Sequence, residues 1–410
     1  MTSATVPQLL PGAAGAPAAG FSQTRIRWRI DVEARALILV TAVLLAFGLA
    51  TLYSASAFEA MRIGRGSAYF LLKQLSGAAI GAIVFAVAAK VDAETWRKYA
   101  WHIMVLAMIG MLLTVLPFTR SIAPPILGAR RFLLGGSIQP SEFAKLAVVV
   151  WTAMLVVKKG EQMRRFSKGM LPILVVVGSL AVMAALEPDL SVVLFFALQM
   201  AVILFAAGGR IGHFVLLGLL GAPVIWQETQ RLQYVMERLL GFADAAGAAH
   251  STVNYQLNQS LIAVGSGGIF GAGFGEGRQQ NGFLPLSYSD FIGSGIGEEW
   301  GFVGMAGVTL LFATWGWLGF RIAKNAQTPF QRLVAVGLTV TMLVTAYLHI
   351  GVVIGLLPTT GLTLPFISYG RSNLILSMLV TGILVNIGSR PERIVGDGAT
   401  DPLTVASRRA

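Results

Sequence analysis

The sequence predicts an all-α, polytopic membrane protein of about ten transmembrane helices, with a long outer loop between the seventh and the eighth. Three observations predict it. Of 410 residues, 55% are apolar and only 12% charged, against roughly 45–50% and about 25% in soluble domains. Mean hydropathy is +0.71, which no water-soluble core accommodates. Apolar stretches of about 20 residues, the length that crosses a bilayer, recur along the chain. The 47 glycines agree, because Gly is more frequent in membrane helices than in soluble ones.

Residues 1–24 are uncharged and rich in Ala, Gly and Pro, and read as a disordered cytoplasmic tail. RIRWR at 25–29 precedes the first span, 36–56. That run is longer than the roughly 7–15 residues of a signal-peptide core, so it is expected to stay as an uncleaved helix. Further spans fall near 70–90, 100–118, 142–158, 169–187, 189–207, 210–226, 291–320, 330–357 and 371–389. The fourth and seventh are short, and the eighth and ninth are long enough to tilt or carry a bent end. Residues 227–290 form the outer loop; its apolar residues favour an ordered segment over a linker. The membrane domain thus covers 25–395, and 396–410 is a second cytoplasmic tail.

Basic residues set the orientation. Arg25, Arg27, Arg29, Arg35, Lys90, Arg97, Lys98, Lys158, Lys159, Arg164, Arg165, Lys168, Arg210, Arg321, Lys324, Arg332, Arg390, Arg393, Arg408 and Arg409 all fall on one side of this topology, which places both termini in the cytoplasm. The net charge of +12 then needs no nucleic-acid partner. With no cysteine, disulfides, thiolate nucleophiles and Cys-ligated metals are excluded. The four histidines, at 102, 213, 250 and 349, show no metal-ligand spacing. No cofactor is indicated, although a divalent cation such as magnesium is compatible with a phosphate-bearing substrate.

Charged groups at membrane depth are costly, and each is a functional hypothesis. In GARRFLLGGSIQPSEFAKL, residues 128–146, Pro140 suits a first helical turn, and Glu142 and Lys145 share a helix face. They read either as a buried ion pair or as part of a site. Arg130 and Arg131 stand at headgroup height, as lipid anchors or as a grip on a pyrophosphate. EPDL at 187–190 leaves Glu187 and Asp189 at a sharp turn, solvated or lining a cavity. GSGGIFGAGFGEGRQQ at 265–280 is neither a Walker loop nor a Rossmann turn, but a tightly turning backbone near a ligand fits it. Asp290, where the outer loop meets helix eight, reads as a helix N-cap or as a partly desolvated general base. Glu298 and Glu299 lie deeper and need partners, for which a helix of another protein is a candidate. LPTTGLTLPFISYGRSNL at 357–374 reads as a re-entrant loop, since polar backbone at that depth must line a cavity or be buried.

In order and spacing, LYSASA at 52–57, GARRF, QPSEFAKL, EPDLS, YQLNQSLIAVGSGGIFGAGFGEGRQ, LPLSYSDF, GEEWGFVG and GLTLPFISYGRSNL resemble the SEDS family (shape, elongation, division and sporulation). The resemblance runs from about Asp31 to Ile387 and leans to the FtsW branch over RodA and SpoVE, mainly through YQLNQSLIAVGSGG. It implies a peptidoglycan glycosyltransferase that polymerises lipid II on the outer face of the bacterial cytoplasmic membrane, for septal wall synthesis. Asp290 matches the family's catalytic aspartate. The sequence departs from the family pattern at Leu286, where Glu is usual, and at Tyr288, where His is usual. Gln280 replaces Lys, Ser191 replaces Gly, and Arg371 and Asn373 replace Gly and Ser. The expected substrate contacts are Arg130, Arg131, Glu142, Lys145, Glu187, Asp189, Gln279, Ser368 and Ser372. The expected partners are a class B penicillin-binding protein transpeptidase and other divisome membrane proteins. The alternatives are a lipid II flippase, an elongation polymerase of the RodA kind, or a silent divisome scaffold. Polar segments gathered on one side favour surface chemistry over transport.

Overall fold

The computed structural model describes residues 25–125, 130–133, 136, 138–209 and 252–394, with isolated positions between 212 and 242. More than half of the predicted span 210–226 and nearly all of the stretch 227–251 of the outer loop therefore lie outside the described residues. So do the two tails, 1–24 and 396–410.

Ten α-helices of eight residues or more are described: α1 (Val32–Arg62), α2 (Tyr69–Lys90), α3 (Ala93–Val115), α4 (Pro140–Lys159), α5 (Leu171–Leu186), α6 (Leu190–Ala206), α7 (Thr252–Ser266), α8 (Ile292–Lys324), α9 (Pro329–Val353) and α10 (Arg371–Ile387). Seven spans, α1–α5, α8 and α9, are long and apolar enough to cross a membrane, and α6 and α10 are shorter apolar helices. Nine expected spans thus stand where the hydropathy placed them. Separately, Arg25–Ile30 and Ser389–Ile394 pair as a two-stranded sheet, β1 and β2. No apolar pattern announced it.

Local signals explain the helix ends. Asp92 caps α3 by accepting from the Glu94 amide at 3.0 Å, and Thr328 caps α9 by accepting from the Gln331 amide at 3.2 Å. Such caps supply acceptors for N–H groups that a helix leaves orphaned. Pro140 and Pro329 open α4 and α9, where the missing N–H costs nothing. α1 is longer than its apolar run because Glu33, Glu59 and Arg62 continue it beyond the hydrocarbon at both ends.

Short turns at 63–68, 91–92, 187–189 and 325–328 make successive helices run in opposite directions. One end of the bundle gathers Lys90, Arg97, Lys98, Lys158, Lys159, Arg321, Lys324 and Arg332. There Arg321 pairs with Glu33 at 2.9 Å, and the Asn386 side chain accepts from the Ala93 amide at 2.9 Å. The other end carries the turns 63–68 and 187–189 and the longer segments 116–125, 267–291 and 354–370. We call these the basic end and the loop end. α4 is the central helix, with 89% of its span buried, between α3, α6, α9 and α10; α2 packs chiefly on α10, and α8 on α9 and α1. Between lipid-facing helices close packing replaces the hydrophobic effect as the driving force. At Gly48 of α1 a Cβ would stand 2.6 Å from the Phe366 carbonyl oxygen. Only glycine lets the 354–370 loop descend against α1.

Candidate active site

The site is built at the loop end, around Asp290. The N-cap position of α8 falls on Phe291, which makes no side-chain cap bond, so Asp290 stands one residue before it. Asp290 is half-buried, in a segment clamped from three sides. Ser287 donates to the Ala55 carbonyl of α1 at 3.3 Å. The Tyr369 amide donates to the Tyr288 carbonyl at 3.0 Å, and the Ser368 hydroxyl donates to the Ser289 carbonyl at 2.7 Å. Gln74 of α2 holds that same loop with both ends of its amide, donating to the Ser368 carbonyl at 3.0 Å and accepting from the Gly370 amide at 3.2 Å. The Asp290 carboxylate lies beside Gly361, where a Cβ would be 3.6 Å from its Oδ2. Two residues into α8, the Gly293 amide donates to His349 Nε2 at 3.3 Å, so the other ring nitrogen carries the hydrogen and donates to the Leu362 carbonyl at 2.7 Å. This neutral imidazole staples the start of α8 to the re-entrant loop.

Next to the carboxylate an aromatic trio forms a wall. Tyr288, Phe70 and Tyr369 stand at ring separations of 4.7, 5.2 and 5.7 Å. Burial pushes the Tyr288 phenol up, helped by the negative charges of Glu59 and Asp290. The phenol therefore stays protonated beside the base and can donate a hydrogen bond.

A second cluster joins α3, α5, α6 and the segment after residue 129. Arg131 donates to the Glu187 and Pro188 carbonyls at 3.3 and 2.5 Å and pairs with Asp189 at 3.5 Å. Asp189 also caps α6, accepting from the Val192 amide at 3.3 Å. Glu187 accepts from the Thr114 hydroxyl, and desolvation raises its pKa to about 8, against the opposing pull of Thr114 and Arg131. Arg130 turns to the Ala123 carbonyl and the Thr119 hydroxyl, both at 3.0 Å. Glu142 and Lys145 pair at 2.8 Å inside the bundle, with Lys145 also over the Phe195 ring at 5.0 Å. Ser191 ties this region to the site loop through the Thr360 carbonyl at 3.1 Å, and Ser372 accepts from the Gln139 amide at 3.1 Å. Ser368 and Ser372 thus spend hydroxyl bonds inside the protein.

The expectation that Glu298 and Glu299 seek another protein's helix is corrected. The Glu298 carboxylate accepts from the Arg278 amide at 2.8 Å and the Gln279 amide at 3.2 Å. Glu299 accepts from the Ser54 hydroxyl, the Gln280 side chain and the Gly275 amide. The cause is Gly301, at φ 64°, a left-handed conformation that breaks α8. The break frees the carbonyls of Glu298 and Glu299 and the amides of Phe302 and Val303. The glycine segment meets all four: Ala272 and Gly273 donate to the carbonyls at 2.9 and 3.1 Å, and the Gly268 and Ile269 carbonyls accept at 2.9 and 3.1 Å. Backbone at membrane depth needs such partners. In this tightly turning segment, the Gly275, Arg278 and Gln279 amides hold the protein's own carboxylates. Gln279 contributes its amide, not its side chain, to that contact.

The sequence reading missed Gln74, Thr114 and His349. Each is a polar residue inside or at the end of an apolar span, and that was a readable signal.

Among known proteins, the sequence profile described as "Cell cycle protein", which gathers FtsW, RodA and SpoVE, matches residues 34–392. The chain belongs to this family. It is 35% identical over 356 residues to the probable peptidoglycan glycosyltransferase FtsW of Geobacter sulfurreducens, covering 86% of this chain and 94% of that one. It is 36% identical over 357 residues to the stage V sporulation protein E of Bacillus subtilis, covering 86% and 95%. Solved folds agree. A chain from a peptidoglycan synthase complex coordinating polymerization and crosslinking superposes with a TM-score of 0.70 at 23% identity, over 88% of this chain and 97% of that one. The rod shape determining protein RodA of Thermus thermophilus gives 0.63 at 23% identity, over 88% and 96%. The SEDS fold and the FtsW leaning read from the motifs both stand. Among the described residues no three His, Asp or Glu side chains converge as metal ligands.

Proposed function

We propose that this family member is a peptidoglycan glycosyltransferase of septal wall synthesis, with lipid II as substrate and Asp290 as its general base. The observation that carries the reading is the placement of Asp290: a half-buried carboxylate at the loop end, clamped through its neighbours to α1, α2 and the re-entrant loop. The acceptor sugar's 4-hydroxyl is a poor nucleophile until its proton is removed. Asp290 takes that proton as the oxygen bonds to the donor's anomeric carbon. The bond from that carbon to the diphosphate oxygen breaks, and the lipid diphosphate leaves. Because the leaving group is a good one, a single carboxylate suffices, and the pre-set geometry lowers the barrier further. A divalent cation such as magnesium would rest on the diphosphate, since the described residues offer it no cage.

The basic end supports a bacterial cytoplasmic membrane orientation with both tails, 1–24 and 396–410, in the cytoplasm, which turns Asp290 outward. The partner that fits is a class B penicillin-binding protein, which would crosslink the strands made here.

Purified protein, lipid II and a gel for polymer test the reading. Asp290→Asn is expected to lower polymerisation by about 10²–10⁴-fold, the usual contribution of a general base, with the protein still in the membrane. Near wild-type polymerisation by this variant would remove the assignment.

A further inference from the structure

The cations picked out by their motifs are already engaged. Arg130 and Arg131 donate to the chain's own oxygens, and Lys145 is paired with Glu142. A different set lies on the α1–α2 side of Asp290. Lys73 Nζ sits 4.4 Å from the centroid of the Tyr69 ring, and Arg65 Cζ sits 5.6 Å from it. An aromatic face steadies a cation without neutralising it. Among the described residues neither Lys73 nor Arg65 has a carboxylate within ion-pair distance, unlike Arg62 beside them, which Glu59 holds at 2.7 Å. Lys73 is half-buried, so its charge is poorly screened by water. Arg371, at the first position of α10, lies against Gly77 one turn along α2.

A chain of ring contacts leads from these cations to the aromatic wall beside Asp290. Tyr69 touches Phe70 at 5.2 Å, and Phe70 touches both Tyr288 and Tyr369. Burial pushes the Tyr369 phenol up while Lys73 and Arg371 pull it back, so their field reaches the wall of the site. Tyr69 and Lys73 begin a spanning helix, the level at which aromatic and long cationic side chains meet headgroups.

We propose that Lys73 and Arg65, with Arg371 beside them, are the seat of the substrate's diphosphate. The seat rests on the reading of this protein as a lipid-diphosphate glycosyltransferase and gives that reading its anion subsite. A diphosphate brings the compensating charge that Lys73 lacks. It would stand across the aromatic wall from the base, so the sugars would span the wall between them. Arg371 stands where the family pattern has Gly, so the seat is partly particular to this chain.

The probe is undecaprenyl diphosphate, titrated into full-length Asp290→Asn protein in phosphatidylcholine nanodiscs. Losing two charge-assisted contacts is expected to weaken binding about 10-fold or more for Lys73→Gln/Arg65→Gln. Lys98→Gln, which removes a lysine over Tyr99 at the basic end, should leave it unchanged. Adding phosphatidylglycerol should not displace the probe. The proposal is overturned if the double variant binds like its parent, if Arg130→Gln alone abolishes binding, or if phosphatidylglycerol competes, which would make the patch a seat for bulk anionic lipid. On the wild-type background the double variant should raise KM for lipid II more than it lowers kcat. Wild-type protein that binds the diphosphate but makes no polymer would sink the glycosyltransferase reading and leave the seat standing. Polymerising wild-type protein with an unaffected double variant would do the reverse.

Discussion

Glu187 is a carboxyl that its own burial keeps largely protonated at neutral pH. Its pKa is raised to about 8 from an ordinary 4.5. Between those values the native chain holds a proton that the unfolded chain has released, so stability falls as pH rises through this window, by at most about 1.4 kcal/mol per unit. Thermal melts at pH 5 and pH 8 should differ, with the lower Tm at pH 8, and Glu187→Gln should shrink the difference; an unchanged difference would count against it. The Glu142–Lys145 pair makes a second test. Removing one partner of a buried pair typically costs about 3–5 kcal/mol. If the pair is structural, exchanging the two residues should restore folding and polymerisation together; folding restored without polymerisation would point to a direct role for Lys145. This pair was legible because i and i+3 share a helix face. Thr114 and Gln74 were legible as polar residues in apolar spans, but their partners were not: Glu187 and Ser368 lie 73 and 294 positions away, beyond any local pattern.

The kinked α8 and the glycine segment before it act as one element. Periodicity gave the helix and missed the break, because Gly301 sits among glycines that a membrane helix tolerates anyway. A Cβ at Gly301 would fall 2.4 Å from the Gly271 amide nitrogen, and φ is 64° besides. Gly301→Ala is therefore expected to destabilise the protein by about 1–3 kcal/mol, the scale of a residue forced into a sparse conformation. Hydrogen exchange should show residues 268–280 losing protection before the rest of the chain. Uniform loss of protection, or none, would separate the segment from the kink. The two-residue EPDL turn was legible as a turn, but its anchoring by Arg131 depended on where the segment after residue 129 returns, which spacing does not state.

The whole bundle has one basic end and one end of loops, a polarity that hydropathy and charge revealed without coordinates. Trp300 remains 39% exposed, between Phe47 and Phe274 at 5.5 and 6.2 Å, although the glutamates before it accept hydrogen bonds from inside the protein. A transpeptidase partner is expected to co-purify and to raise the polymerisation rate. A rate independent of added transpeptidase over a wide concentration range would remove partner activation. The link from Gln74 to Ser368 also has a consequence for biosynthesis. Chains leave the ribosome N-terminus first, so α1 and α2 enter the membrane long before the segment that completes the site has been translated. Until residues 357–387 emerge, Asp290 lacks the clamp of the re-entrant loop and α2 lacks its chief partner, α10. A nascent or prematurely terminated chain would therefore be inert toward sugar donors, and chemistry would begin only once synthesis is nearly finished.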